Sequence, residues 1–206
     1  MTRLRGHLTG LAAALTLALT ACGGDPSAKP STSPSSSPST STTSSAPSST
    51  APSPTGPPAQ PKGKYGVTVD ILNWDKYATD PVVLAAKQVN EGVQGSINRG
   101  RLVPGLLGRA GSEDVRQLMV TAVQTAASNR YHVDRRLVAR VAKRKGATAT
   151  LCFWMPSYDY RKPNGNLYQG PENYWGRYEM TFKKVGGTWK LTKVSGNGRC
   201  AGGAPQ

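Results

Sequence analysis

The sequence predicts an α+β fold: N-terminal helices packed on one face of a curved antiparallel sheet of about four strands, behind a disordered tail. Three observations carry this. Apolar residues recur at helical spacing between residues 80 and 129. The period then switches to alternation, with glycine-bearing turns between the alternating runs. Residues 25 to 61, by contrast, have almost nothing apolar to bury. Helices first and strands afterwards is the order of an α+β domain. The chain has 206 residues, of which 37% are hydrophobic. That composition excludes a polytopic membrane protein, a collagen-like repeat, a coiled coil and a small disulfide-dense scaffold.

The first 21 residues read as an export signal. Arg3 and Arg5 form a positive leader, and Leu8 to Ala21 form an apolar stretch broken only by small Thr and Gly residues. As a helix this stretch spans about 21 Å, short of the roughly 30 Å of a bilayer core. A positive flank, a short apolar core and small residues at its end are the pattern of a signal peptide. Leu19-Thr20-Ala21-Cys22 resembles the lipobox of bacterial lipoproteins. The resemblance implies cleavage before Cys22 and a diacylglyceryl thioether on its sulfur. The alternative is a plain secretory signal with an incidental cysteine. Two acyl chains, at about 0.8 kcal/mol per buried methylene, anchor a protein stably where one is marginal. The expected location is therefore the outer face of the cytoplasmic membrane, outside the cytoplasm.

With Cys22 lipidated, Cys152 and Cys200 remain as a pair in an oxidising compartment. Their bridge would close a loop of about 49 residues, which chain entropy values at roughly 4 kcal/mol. Two free thiols are the alternative.

Residues 22 to 63 form the lipidated cysteine and its stalk. Of the 37 residues from Asp25 to Pro61, 10 are Pro, 13 Ser and 6 Thr. Such a segment cannot offset its ordering entropy. Its reach lies between about 33 Å as a flexible coil and about 115 Å fully extended. That carries the folded domain, residues 64 to 206, well beyond the Debye length of about 8 Å.

Within the domain, Thr79-Asp80-Pro81 starts a helix, the cap preceding a proline whose missing N–H costs nothing in the first turn. Val82, Ala86, Val89, Val93 and Ile97 give it a buried face, and Gly100 ends it. Ser112-Glu113-Asp114 starts a second helix, with negative charge at the positive dipole end. Its expected stripe is Val115, Leu118, Met119, Ala122, Val123 and Ala126. Past Asn129, Leu137, Ala139 and Val141 alternate with Arg136, Arg140 and Arg144. Lys145-Gly146 turns the chain into a second strand, Thr148 to Met155. A long polar loop leads to a third strand, Tyr174 to Val185, with Tyr178, Met180 and Phe182 on one face. Gly186-Gly187 precedes the last strand, Thr188 to Ser195.

The order of elements resembles the nuclear-transport-factor-2-like superfamily, the cone-shaped cystatin-like fold. It is similar to the version in small secreted lipoproteins of high-GC Gram-positive bacteria. The residues that carry the resemblance are Asp80-Pro81, Ala147 to Cys152, Gly187-Thr188-Trp189-Lys190-Leu191, and the placement of Cys152 and Cys200. Tyr131-His132-Val133 departs from the pattern, standing where a glycine-bearing turn is expected. Members range from isomerases to protein-binding modules, so the resemblance implies a fold and leaves activity open.

Catalytic constellations are scarce. The mature chain holds one histidine, His132, and no His/Cys/Asp cluster with metal-ligand spacing, so no metal and no cofactor is expected. An enzyme of this fold would use Tyr178 or Tyr174 with Asp159 or Glu179, but alternation sends Glu179 away from Tyr178. Two surface features remain. Trp154, Tyr158, Tyr160, Tyr168 and Trp175 cluster along one loop, able to stack on sugar rings or enter a partner interface, or simply to pack over the sheet end. From Lys62 onward there are 23 basic and 10 acidic residues. Arg136, Arg140, Arg144, Arg177, Lys183 and Lys190 would form a basic ladder on the solvent face of the sheet, where they would attract a polyanion or simply serve solubility. The expected role is non-catalytic binding at the cell envelope, toward an anionic wall polymer, a carbohydrate or an envelope protein; nucleic acid fits an exported domain poorly. The alternative is a small-molecule binder or enzyme using the cavity between helices and sheet.

Overall fold

The computed structural model describes residues 56, 58–168 and 173–206. The expected signal peptide, Cys22 and most of the expected stalk lie outside the described residues. The order of the main elements is β1 (Thr68–Ile71), α1 (Pro81–Arg99), α2 (Glu113–Ser128), β2 (Arg136–Lys145), β3 (Thr148–Trp154), the single turn α3 (Met155–Tyr158), β4 (Trp175–Val185) and β5 (Thr188–Cys200). The fold is α+β with a curled sheet in the order β1-β2-β3-β4-β5. Its last four strands are antiparallel, as the alternation predicts. The sheet is nevertheless mixed, because β1 adds a fifth strand that runs parallel to β2. Both helices lie in the connection between β1 and β2, a length that a parallel pairing requires.

Helix α1 begins where the cap predicts. The Asp80 carboxylate accepts from the Val82 and Val83 N–H groups at 2.9 and 3.0 Å, with Pro81 in the first turn. It ends at Gly100, whose φ of 62° is the left-handed cap that a side chain would strain. Gly92 and Gly95 do not interrupt it. They let other chain segments press on the helix: a Cβ on Gly95 would stand 2.6 Å from Cβ of Tyr65. Helix α1 is consequently buried around most of its girth, packed against α2, β1, β3 and β5.

Burial on that scale encloses an ion pair. Lys87 and Glu91, one turn apart, are 1% and 6% exposed. Lys87 Nζ donates to the Val69 carbonyl at 2.8 Å, and Glu91 Oε1 accepts from the Val69 N–H at 2.9 Å. The pair thus does for the outer edge of β1 what a neighbouring strand would do, satisfying backbone groups that an edge leaves open. Gln60 continues this edge by accepting from the Ile71 N–H at 2.8 Å, and Trp74 Nε1 donates to the Pro58 carbonyl at 2.7 Å. Residues ahead of position 64 therefore belong to the folded body.

Helix α2 is capped by Ser112 and buries Val115, Met119, Val123 and Ala126. Leu118, expected in that stripe, is instead 51% exposed. Past α2, Arg130 takes the left-handed position, φ 54°, that glycine usually fills. The turn closes through Tyr131 N–H on the Ala126 carbonyl at 2.8 Å.

Leu137, Ala139, Val141, Ala149, Leu151, Phe153, Met180, Phe182 and Leu191 form the inner face of the sheet and the centre of the core. Met155, expected to finish the second strand, opens α3. The last strand runs past Ser195 to Cys200. The Cys152 and Cys200 sulfurs are at bonding distance, with Cα atoms 6.2 Å apart. Two strand spacings are about 9.6 Å, so the end of β5 bends toward β3 across the outer face of β4.

Candidate functional site

The outer face of the sheet departs from simple alternation where the strand register shifts. The β2–β3 register shifts between Val141 and Lys143, leaving Ala142 as a bulge. Beyond it every side chain changes face. Arg144 therefore does not join the basic ladder: it lies opposite Ala149, on the inner side, and its guanidinium grips the Asp80 carboxylate at 2.9 Å. Its work is to tie the sheet to the capping residue of α1. Lys143 and Lys145 take the outer positions instead. A second shift, between Thr181 and Phe182, sets Lys193 opposite Thr181 on the same outer side.

The remaining candidates hold their places. Arg136 is exposed and its Nε donates to Asp70 at 2.9 Å. Arg140 lies 4.7 Å from the Trp175 ring and donates to the Ala201 carbonyl. Arg177 stands across from Cys152, with Glu179 at 3.8 Å. Lys183 and Lys190 face one another directly across β4 and β5. Like charges so placed cost stability. Arg140, Lys143 and Arg177 line a shallow depression of about 610 Å³ beside Cys200, and no carboxylate among the described residues lines it; the Arg199 guanidinium lies 4.2 Å from the Tyr174 ring.

The aromatic residues divide between the two faces. Trp154 and Trp175 pack together on the outer side, ring centres 5.5 Å apart, and Trp175 is covered by the C-terminal tail through its hydrogen bond to the Gly203 carbonyl at 2.7 Å. Tyr158, Tyr160 and Tyr168 turn inward. They line a half-open pocket of about 280 Å³ between α1, α2 and the sheet, together with Asn90, Gln94 and Tyr178. Tyr158 packs between Phe153 and Tyr178, ring centres 4.2 and 5.1 Å away and both pairs tilted. The exposed Leu118 and Tyr168 stand at this pocket.

Burial, with neighbouring Tyr178 and Tyr160 adding to it, holds the Tyr158 phenol well above its ordinary pKa, against a hydrogen bond with Gln94 that lowers it. Burial likewise pushes Tyr178 up to about 12 and raises Tyr160. These phenols are neutral hydrogen-bonding groups at physiological pH, not bases. Of the carboxylates considered for an enzyme, Glu179 is on the outer face and Asp159 lines the pocket. His132 is exposed, in a backbone bridge with Arg161. Arg161 is held in the loop by a two-pronged pair with Asp134 at 2.7 and 2.8 Å.

Gln94 Oε1 is buried without a hydrogen-bond partner among the described residues. Leaving such an acceptor unpaired costs about 1–3 kcal/mol. Among the described residues no cluster of His, Cys, Asp and Glu could hold a metal, and no helix is long and apolar enough to cross a membrane. No protein-family model matches the chain, and no curated protein matches it.

Proposed function

We propose that the chain is an exported, lipid-anchored binding module that presents the outer face of its sheet to an anionic polymer of the cell envelope. In this reading Cys22 carries the diacylglyceryl anchor, the residues between it and Pro58 are the stalk, and the two helices close the inner side of a cone-like domain. The observation that supports it is the depression lined by Arg140, Lys143 and Arg177, a cationic concavity with no carboxylate in its wall among the described residues. Lys145, Lys183, Lys190 and Lys193 extend the same charge along the strands. The mutual repulsion of Lys183 and Lys190 is relieved when a polyanion lies between them. No catalytic step is required of any of these groups.

Binding to an anionic wall polymer, measured at low and at high salt, tests this. The expected result is binding that weakens steeply with ionic strength and is lost in the Lys143→Glu/Arg177→Glu/Lys193→Glu variant. Binding indifferent to both salt and charge reversal overturns the proposal, as does the absence of binding at low salt.

A further inference from the structure

We infer that the pocket between α1, α2 and the sheet is a second, independent binding site for a small neutral molecule with an apolar body and one hydroxyl or N–H donor, which meets Gln94 Oε1. Asn90 is fully engaged: its amide nitrogen donates to the Ala86 carbonyl at 2.8 Å and contacts the Met180 sulfur at 3.4 Å, while its carbonyl oxygen accepts from the Tyr158 hydroxyl at 3.3 Å. The Gln94 amide lies beside the same Tyr158 phenol and lowers its pKa. The relay leaves over one acceptor, Gln94 Oε1, on a residue that is 3% exposed and lines the cavity. An acceptor at such depth is met by a donor from outside the chain, an ordered water or a ligand that displaces it.

The rest of the pocket selects what brings that donor. Met119, Met155 and Met180 supply adaptable apolar walls, and Tyr158 and Tyr178 supply aromatic ones. The volume is near the lower limit of about 300 Å³ for small-molecule sites. Among the described residues no lysine or arginine lines the cavity and the Asp159 carboxylate does, so an anionic ligand has no counter-charge there. Leu118 and Tyr168, both about half exposed, form an apolar rim of the kind a ligand covers on entry. This site lies on the opposite side of the sheet from the basic depression, and either can fail without the other.

The probes are para-propylphenol and its methyl ether, which share a body and differ only in the donor. Titration of the purified protein, followed by the methyl resonances of Met119, Met155 and Met180, locates and quantifies binding. The expected result is saturable shifts of those methyls by the phenol, with the ether at least about 10-fold weaker, equivalent to about 1.4 kcal/mol. In Gln94→Leu the two should bind alike. Equal affinities for the unaltered protein, the absence of saturable shifts, or discrimination that survives in a folded Gln94→Leu variant would each overturn the inference. If that variant does not fold, the comparison of the two probes on the unaltered protein decides.

Discussion

Lys87 and Glu91 provide the sharpest test of how the chain holds its first strand. Replacing Lys87 with Met keeps the length of the side chain and removes its charge. Glu91 then remains 6% exposed with no cation beside it, and the Val69 carbonyl loses its donor. Breaking a buried pair from one side costs about 3–5 kcal/mol, because the surviving charge is left uncompensated. For a domain of this size each kcal/mol moves Tm by about 3–4 °C, so Lys87→Met should melt roughly 10–20 °C lower. Adding Glu91→Gln removes the stranded charge while keeping an acceptor for the Val69 N–H. The double variant should therefore recover at least about 1–2 kcal/mol, leaving mainly the unpaired carbonyl, worth about 1–3 kcal/mol. Urea unfolding of the four proteins of this cycle measures each difference. A Lys87→Met loss below about 1 kcal/mol, or a double variant less stable than the single one, would refute the reasoning.

Four further outcomes follow from the same structure. Replacing Cys152 and Cys200 by Ser should cost roughly 4 kcal/mol by denaturant unfolding, and adding reductant to that variant should change nothing more. Asp80→Asn keeps an N-cap acceptor but breaks the pair with Arg144, whereas Asp80→Ala loses both; unfolding curves should place Ala below Asn by about 1 kcal/mol. Arg130→Gly should stabilise by a few tenths to about 1 kcal/mol by relieving a left-handed residue, read as a rise in Tm. The raised pKa of Tyr178 means that the folded state keeps its proton after the unfolded state has lost it. The stability it contributes is present below pH 10.0, the unfolded value, and is lost as pH rises toward about 12; phenolate absorbance and unfolding free energy across that range check it.

The helices were legible because caps and apolar spacing agree: Asp80-Pro81 and Ser112 are the observed starts, and Gly100 is the observed stop. The antiparallel strands were legible because one face of each is buried. Strand β1 was also written in the sequence, as the alternation Val67, Val69, Ile71, all at most 1% exposed, but its four residues are too short for a pattern to stand out before a helical region. Its parallel pairing depends on a partner more than sixty residues away, which no local signal reports. The bulge at Ala142 is the costliest omission. One extra residue carries Arg144 inward to Asp80 and turns Lys143 and Lys145 outward, and the separate shift in β5 turns Lys193 outward, so simple alternation misplaces these four side chains. The pocket was anticipated as a space between helices and sheet. Its polar floor was not, because Asn90 and Gln94 sit in a helix whose apolar spacing drew attention elsewhere.

The account rests on where the protein is found and how it is held. The most direct measurement is the mass of the N-terminal peptide recovered from the membrane fraction of cells that make the chain. It should begin at Cys22 and carry a diacylglyceryl thioether on that sulfur. A peptide that begins at Met1, recovered from soluble cytosolic protein, would contradict export, the anchor and the proposed polymer partner together.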